Sequence, residues 1–196
     1  MKHYFRQIQG WAKYPEGFLL EYENFIKQCK GNEVIVEVGS WKGRSAVFMG
    51  VLLHNYFKEH NKAPKFFAVD HFKGSDEKAH HEDPICNKGL LFAEFQNNIY
   101  QVQKFVTPIK APSVEAAQTF EDNSIDFLLI DGGHTYEDVY SDIKAWITKM
   151  KPGSIICGDD ANWSGVRQAA EEWFNKEKIQ ILGEGKSKYF KVVVEE

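Results

Sequence analysis

Short apolar runs rich in β-branched residues alternate along this chain with longer amphipathic stretches. Such runs predict β-strands, and apolar residues recurring every three or four positions predict helices. The predicted strands are 34–38, 65–69, 105–109, 125–130 and 154–157, and the predicted helices are 16–30, 45–57, 89–102, 113–119, 135–150 and 165–176. Because parallel strands need a crossover between them, this order predicts an α/β fold with a doubly wound, mostly parallel sheet covered by helices on both faces.

The last part of the chain breaks this alternation. Two further predicted strands, 179–182 and 189–194, are separated by a short turn and no helix, so they must pair antiparallel. The sheet therefore has seven predicted strands and ends in an antiparallel hairpin. No repeat, low-complexity tract or linker interrupts the sequence, which predicts a single domain over 1–196. Within it, we expect a helical lid segment over 1–32 and a polar lid loop over 71–88.

Composition argues against several functional classes. The net charge of −4 and the isoelectric point near 6.0 disfavour a protein that binds nucleic acid through a broad basic face. No apolar run approaches the roughly 18 residues of a membrane span, and the N-terminal sequence does not read as a secretory signal. Cys29, Cys86 and Cys157 lie far apart, which is typical of reduced thiols. We therefore expect a cytoplasmic protein without nucleic-acid or membrane partners.

The segment after the first predicted strand reads EVGSWKGRS and is the first candidate cofactor site. Gly39 and Gly43 allow a sharp turn and a close ligand, although a plain strand-to-helix turn explains them equally well. Glu37 would repel the pyrophosphate of NAD or FAD, whereas it suits the ammonium and sulfonium groups of S-adenosylmethionine. We therefore expect Glu37, Gly39, Ser40, Gly43 and Ser45 to bind that cofactor.

Three residues after the second and third strands extend this prediction. Asp70 ends the second strand, where a carboxylate can accept hydrogen bonds from both ribose hydroxyls. His71 follows it directly, and Ser113 follows the third strand, where the adenine is expected. The alternative for Asp70 is a solvent-facing residue at a strand end.

A cluster of acidic residues follows the fourth and fifth strands. Asp131 and His134 come after the fourth strand, and Asp159 and Asp160 come after the fifth. Carboxylate oxygens suit a hard divalent cation such as Mg²⁺, which lowers the pKa of an alcohol bound to it. His134 has the intrinsic pKa of a general base. The alternative is structural, with Asp131 and His134 capping the helix that follows.

Four motifs in this order carry a family resemblance: EVGSWKGRS, VDHFKG, IDGGHTYEDVxxD and GSIICGDD. They resemble the class I S-adenosylmethionine-dependent methyltransferases that include the macrocin- and mycinamicin-type sugar O-methyltransferases. The resemblance covers residues 34–174 and implies a Rossmann-like fold. It also implies Mg²⁺ on Asp131, Asp159 and Asp160, and His134 with Asp131 as catalytic residues. We expect Asp131 to contact the cofactor as well.

The implied reaction is O-methylation of a small sugar-like or glycosylated acceptor. A methyltransferase without a metal and a non-catalytic nucleoside-binding module are the alternatives. The chain has fewer residues before its first strand than the antibiotic-tailoring enzymes, so its acceptor need not be theirs. Lys42 and Arg44 are expected to face solvent, with contact to an anionic acceptor as an alternative for both. A homo-oligomer is left open.

Overall fold

A computed structural model describes residues 1–75 and 78–195 and contains one seven-stranded sheet. Its strands are β1 (Val34–Val38), β2 (Lys65–Asp70), β3 (Thr107–Lys110), β4 (Ile125–Ile130), β5 (Met150–Gly158), β6 (Gln180–Leu182) and β7 (Tyr189–Val193). Their spatial order is β3-β2-β1-β4-β5-β7-β6. The first five strands are parallel, and β7 runs antiparallel to both of its neighbours. The predicted α/β, doubly wound fold with its closing hairpin is confirmed.

Helices cover both faces of the sheet. They are α1 (Leu19–Ile26), α2 (Arg44–His60), α3 (Lys78–His81), α4 (Pro84–Asn87), α5 (Leu91–Ile99), α6 (Ser113–Ala117), α7 (Tyr136–Trp146) and α8 (Ser164–Phe174). Residues of α1, α2 and α5 pack in one core and residues of α6, α7 and α8 pack in the other. No helix of the described chain is long and apolar enough to cross a bilayer.

Strand β1 shows how the sheet divides the two cores. Ile35 lies in the core beneath α1 and α2, whereas Val36 and Val38 lie in the opposite core. This follows from the alternation of side chains along a strand. Glu37 therefore shares the face of Ile35 and is completely buried there. Glu37 lies beneath α1 because it is two residues from Ile35 in the strand, so both side chains point to the same face of the sheet.

Several predicted elements differ from the observed ones. The described part of the predicted loop 71–88, which leaves out residues 76 and 77, contains the short helices α3 and α4. Asp83 caps α4 by accepting hydrogen bonds from the N–H groups of Ile85 and Cys86. The helix predicted over 135–150 ends at Trp146, and β5 begins at Met150. Pro152 and Gly153, which indicated the end of a helix, lie within β5 where its pairing with β4 shifts register.

A test of the fold concerns Gly39, whose φ of +91° a side chain rarely adopts. A Cβ at this position would lie 2.0 Å from the carbonyl oxygen of Asp131. Gly153 has a φ of +78° and no atom within 4 Å of such a Cβ, so it is a matched control. Gly153→Ala should cost about 1–2 kcal/mol for the left-handed backbone. Gly39→Ala should cost about 1–3 kcal/mol more, because the two strand ends must move apart.

Urea unfolding of both variants measures the difference. Equal free energies of unfolding for Gly39→Ala and Gly153→Ala would show that the ends of β1 and β4 can separate freely.

Candidate active site

Backbone hydrogen bonds continue the parallel sheet one residue past its strands. The N–H of Gly39 donates to Val69, that of Asp131 to Val38, and that of Asp159 to Ile130, at 2.8–3.0 Å. Consecutive parallel strands therefore end in one row. This row places the residues that follow β1, β4 and β5 side by side at the carboxyl edge, where open α/β sheets bind ligands.

The chain turns sharply just beyond this row. Trp41, Phe72 and Asp160 have φ values of 43°, 56° and 54°, in a region that residues other than glycine seldom occupy. Phe72 and Asp160 lie two residues beyond the ends of β2 and β5, and Trp41 lies three residues beyond the end of β1. Such strained residues cluster at functional sites. Here they turn the loops back over the edge of the sheet and enclose two cavities.

The first cavity has a volume of about 840 Å³ and lies over β1, β2 and β4. Four carboxyl groups line it, and no lysine or arginine is among the described residues of its wall. The predicted cofactor residues Gly39, Asp70, His71, Ser113 and Asp131 all lie in this wall. The same wall also contains Asp138, Asp142 and Thr135. The cavity is therefore suited to a cation and unsuited to a phosphate.

The second cavity has a volume of about 560 Å³ and lies between the same edge, the N-terminal segment and the turn before β7. The predicted residues Ser40, Ser45, Asp159 and Asp160 line this cavity and not the first. The two cavities share a wall formed by Gly39, Trp41, His80, Asp131, Gly132, His134 and Trp163. A group transferred between ligands in the two cavities would therefore pass beside Asp131 and His134.

Glu37 and Gly43 are the two predicted cofactor residues that line neither cavity. Glu37 lies beneath the loop, where its carboxylate accepts a hydrogen bond of 2.7 Å from the hydroxyl of Tyr22. Burial raises the pKa of Glu37 to about 7, although the hydroxyls of Tyr22, Ser40 and Ser45 favour the ionised form. In this structure Glu37 therefore lies behind the cavity walls and not in them.

Asp70 holds two of the strained turns. One carboxylate oxygen accepts a hydrogen bond of 2.8 Å from the N–H of Trp41, and the other accepts one from the N–H of Phe72. Each oxygen has a second lone pair, so the carboxylate can still accept hydrogen bonds from a ligand in the first cavity. Asp70 thus both shapes the cavity and lines it.

Asp131, His134 and Asp160 form the candidate metal cluster. One potential ligand atom from each lies within 4.8 Å of the others, and the Nε2 of His134 is 3.0 Å from a carboxylate oxygen of Asp160. Thr135 caps α7 by accepting a hydrogen bond from the N–H of Asp138, so Asp131 and His134 are not the helix cap. The structure thus sets aside the capping alternative.

Asp159, the remaining predicted metal ligand, lies outside this cluster. Burial and the neighbouring charge of Asp160 raise the pKa of Asp159 to about 7. Its Oδ1 is buried and has no hydrogen-bond partner in the part of the chain that the structure describes. A buried carboxylate oxygen without a partner is costly, so this atom is suited to a cation or a donor in the second cavity.

Comparison with known proteins agrees with this geometry. A family model described as a methyltransferase domain matches residues 36–161. The chain belongs to this methyltransferase domain family. The matched residues include the row at the carboxyl edge and all of the acidic residues predicted to bind a metal. The uncharacterized protein y4gI of Sinorhizobium fredii is 30% identical over 165 residues, which are 81% of this chain and 16% of that protein.

Solved structures show the same fold as this methyltransferase domain. The O-methyltransferase NovP is 15% identical, with a TM-score of 0.65 over 91% of this chain and 79% of that one. CalS11, a calicheamicin methyltransferase, is 18% identical, with a TM-score of 0.60 over 89% and 77%. Cofactor-bound Rv0187 from MTB is 14% identical, with a TM-score of 0.62 over 95% and 82%. The Rossmann-like class I methyltransferase fold implied by the sequence motifs is therefore confirmed.

Asp142 ends the motif IDGGHTYEDVxxD, but the sequence analysis gave this residue no role in the site. It lines the first cavity from α7 and is 6% exposed. Burial raises its pKa to about 6, and Ser113 partly offsets this by hydrogen bonding. The Nε1 of Trp146 in turn donates to the Oγ of Ser113 at 2.9 Å. The signal was present in the sequence, because Asp142 lies among apolar positions of α7.

The lid loop is fastened to the cofactor loop of the domain. The ammonium group of Lys42 forms an ion pair with Asp83, and both side chains are 5% exposed. Lys42 also donates to Gln9 of the N-terminal segment at 2.8 Å. Next to this pair, the rings of Trp41 and His80 stack at 5.1 Å. The expectation that Lys42 faces solvent is wrong, because its charge joins three segments inside the protein.

A test of the site uses the raised pKa of Glu37. A carboxyl group with a pKa of about 7 in the folded state and 4.5 in the unfolded state binds more protons when folded. The free energy of unfolding should therefore fall as pH rises from 4.5 to 7. Glu37→Gln removes this effect, so relative to the wild type it should gain about 2 kcal/mol between pH 5 and pH 8.

Urea unfolding at both pH values measures this change, with the exposed Glu59→Gln as the control variant. A stability difference between wild type and Glu37→Gln that is the same at pH 5 and pH 8 would contradict the raised pKa.

Proposed function

We propose that this methyltransferase domain transfers a methyl group from S-adenosylmethionine to a hydroxyl of a small sugar-like or glycosylated acceptor, assisted by Mg²⁺. The observation that carries the proposal is the acidic wall of the first cavity, which adjoins a second cavity at the carboxyl edge of the sheet. The first contains carboxylates and, among described residues, no cationic lysine or arginine. The two cavities meet at Asp131 and His134, where a catalytic group would need to be. We further propose that the protein acts in the cytoplasm.

The residues of the first cavity suit S-adenosylmethionine. Asp70 offers free lone pairs for the ribose hydroxyls, and Ser113 and Asp142 offer hydrogen-bonding groups for the adenine. The ammonium and sulfonium groups of the cofactor favour a wall of carboxylates, which would repel a dinucleotide. When bound, S-adenosylmethionine supplies a methyl group to the acceptor oxygen and leaves as neutral S-adenosylhomocysteine.

His134 is the proposed general base. Its ring lines both cavities, so it can reach a hydroxyl held in the second cavity beside the first. The carboxylate of Asp160, 3.0 Å from Nε2, fixes the ring and stabilises the imidazolium that forms when the ring takes the acceptor's proton. Trp163, whose ring centroid is 5.1 Å from that of His134, restricts water beside the imidazole.

Asp131 and Asp160 are the proposed Mg²⁺ ligands, with Asp159 completing the set that the resemblance implies. Their fit rests on the cluster of ligand atoms within 4.8 Å and on the buried, unpartnered Oδ1 of Asp159. Bound Mg²⁺ would lower the pKa of the acceptor hydroxyl and neutralise carboxylates that otherwise repel one another.

The sugar-like acceptor is supported by the sequence motifs and by a named structural relative. CalS11, at 19% identity and a TM-score of 0.61, is described as a TDP-rhamnose 3'-O-methyltransferase. The second cavity falls within the range of about 300–1,000 Å³ that is usual for small-molecule sites. The chain spans 16% of the length of y4gI, so partners of such a longer protein lie beyond this proposal.

One observation favours a second candidate, a methyltransferase without a metal. The short contact between His134 and Asp160 is the arrangement of a base and the carboxylate that orients it, and it needs no cation. The two candidates share every cofactor residue and differ only in the role of the carboxylates after β4 and β5.

Titration of the full chain with S-adenosylhomocysteine tests the cofactor site. Isothermal titration calorimetry should give micromolar binding, because the first cavity has its ribose acceptor already in place. Asp70→Ala should weaken binding about 10- to 100-fold, since it removes hydrogen bonds to a charged group and loosens both turns.

Asp122→Ala, at an exposed carboxylate far from the edge, is the control and should bind like the wild type. Absence of binding in the wild type would overturn the proposal and favour the non-catalytic module.

Titration with Mn²⁺, observed by electron paramagnetic resonance, tests the metal site without an acceptor. Asp131→Asn and Asp160→Asn should each weaken Mn²⁺ binding about tenfold or more, because each removes a charged oxygen ligand. Asparagine tolerates the left-handed backbone at residue 160, so the second variant should keep its fold. Equal binding by wild type and both variants would instead support the metal-free candidate.

A further inference from the structure

Among the described residues, the lysine and arginine side chains that line a cavity of the site all line the second one. Lys13, Arg44 and Lys186 line it, and none of them lines the first. They come from three separate segments: the N-terminal segment, the start of α2 and the turn between β6 and β7. The two adjoining cavities therefore differ in charge, because basic side chains line only the second one. The second cavity therefore offers three positively charged side chains to an anionic group.

Arg44 is a partly buried cation without an acidic partner. Its Nε donates to the carbonyl of Ala12 at 2.9 Å and its Nη1 to the carbonyl of Ile8 at 3.1 Å. Across residues 1–75 and 78–195 it forms no ion pair, and burial lowers its pKa. Charged groups removed from water are usually paired. The two backbone contacts fix the guanidinium at the cavity wall and leave it able to bind an anion.

Lys13 and Lys186 are brought together by the packing of two turns. A Cβ at Gly183 would lie 3.1 Å from the carbonyl of Glu16, and one at Gly17 would lie 3.6 Å from the Cβ of Ser187. Both lysines are exposed, and neither forms an ion pair with a described residue. Seven other lysines do have carboxylate partners: Lys27, Lys42, Lys78, Lys149, Lys151, Lys178 and Lys191. Lys13 and Lys186 thus each bring an exposed ammonium group to the rim of the second cavity.

The same cavity has an acidic part and two exposed aromatic rings. Asp131, Asp159 and Asp160 line it together with His134. Trp11 and Trp163 also line it and are 58% and 47% exposed. Trp11 stacks on Trp41 at 4.7 Å, which holds its indole in place. Indole rings bind the apolar face of a ring-shaped ligand well. A ligand that satisfies this cavity has a ring, a hydroxyl and an anionic group.

We infer that the second cavity binds a phosphorylated sugar, whose phosphate contacts Arg44, Lys13 and Lys186 while its hydroxyl lies beside Asp131 and His134. This inference rests on the proposed function for the role of the ligand as methyl acceptor, but its binding does not depend on methyl transfer. The phosphate belongs either to a sugar monophosphate or to a nucleoside diphosphate sugar. The net charge of −4 disfavours the phosphates of a nucleic acid.

Isothermal titration of the full chain in Mg²⁺-free buffer tests the inference with glucose 1-phosphate, UDP-glucose and neutral glucose. Without Mg²⁺, phosphate cannot bind through the metal. At least one phosphorylated probe should bind about tenfold or more tightly than glucose, and raising the salt concentration should weaken it. Lys13→Ala and Lys186→Ala should each weaken that binding about 3- to 10-fold, and the double variant should weaken it more than either single variant.

Lys188→Ala is the matched control, because Lys188 is exposed two residues from Lys186 and lines neither cavity. It should bind every probe like the wild type. Both lysine variants alter exposed side chains, so they should fold like the wild type. The partly buried Arg44 is therefore left unchanged in these variants. A larger lysine-dependent effect on UDP-glucose assigns the phosphate to a nucleoside diphosphate sugar, and a larger effect on glucose 1-phosphate assigns it to a monophosphate.

Any of three results would overturn the inference. The first is equal binding of glucose and both phosphorylated probes, and the second is a double variant that behaves like Lys188→Ala. The third is lysine-dependent binding of a single-stranded RNA oligonucleotide without binding of either phosphorylated sugar. Titration of the double variant with S-adenosylhomocysteine separates the two proposals. If the double variant binds the cofactor normally but no longer binds the phosphorylated sugar, the proposed function stands. If the wild type does not bind the cofactor, only the proposed function is contradicted.

Discussion

The site depends on the backbone hydrogen bonds that extend the parallel sheet beyond its strands. The bonds from Gly39, Asp131 and Asp159 hold three loops in one row before any side chain contributes. Only glycine fits at residue 39, since the carbonyl of Asp131 occupies the space of a Cβ. The strained turns then follow from this row, because each loop must leave the sheet at once to avoid its neighbour. The carboxylates are neighbours because these hydrogen bonds hold the backbone segments that carry them side by side.

The second organising feature is the burial of carboxyl groups at this edge. Burial raises the pKa values of Glu37 and Asp159 to about 7 and that of Asp142 to about 6. Near neutral pH these groups are less stable as anions than they would be in water. A cationic ligand bound at this edge would favour their ionised forms and lower these pKa values.

The sequence predicted the elements that depend on local pattern. Strands β1, β2 and β4 are buried on both faces and read as apolar runs, so their positions were correct almost to the residue. Helices α3 and α4 escaped prediction because they are only one turn long, and Asp83 is held by a lysine 41 residues away. The placement of Glu37 away from both cavities follows from strand alternation and could have been deduced. The meeting of basic side chains in the second cavity could not have been deduced from the sequence, because three distant segments supply them.

The buried pair of Lys42 and Asp83 has a consequence for how the protein responds to its ionic environment. Mobile ions screen charges in solution within about 8–10 Å at physiological ionic strength, but they do not enter a closed interior. With both side chains 5% exposed, the attachment of the lid loop to the cofactor loop is shielded from dissolved salt. Lys13 and Lys186, which are exposed, are not shielded. Salt concentration therefore acts on the rim of the second cavity while the ion pair between Lys42 and Asp83 is little affected.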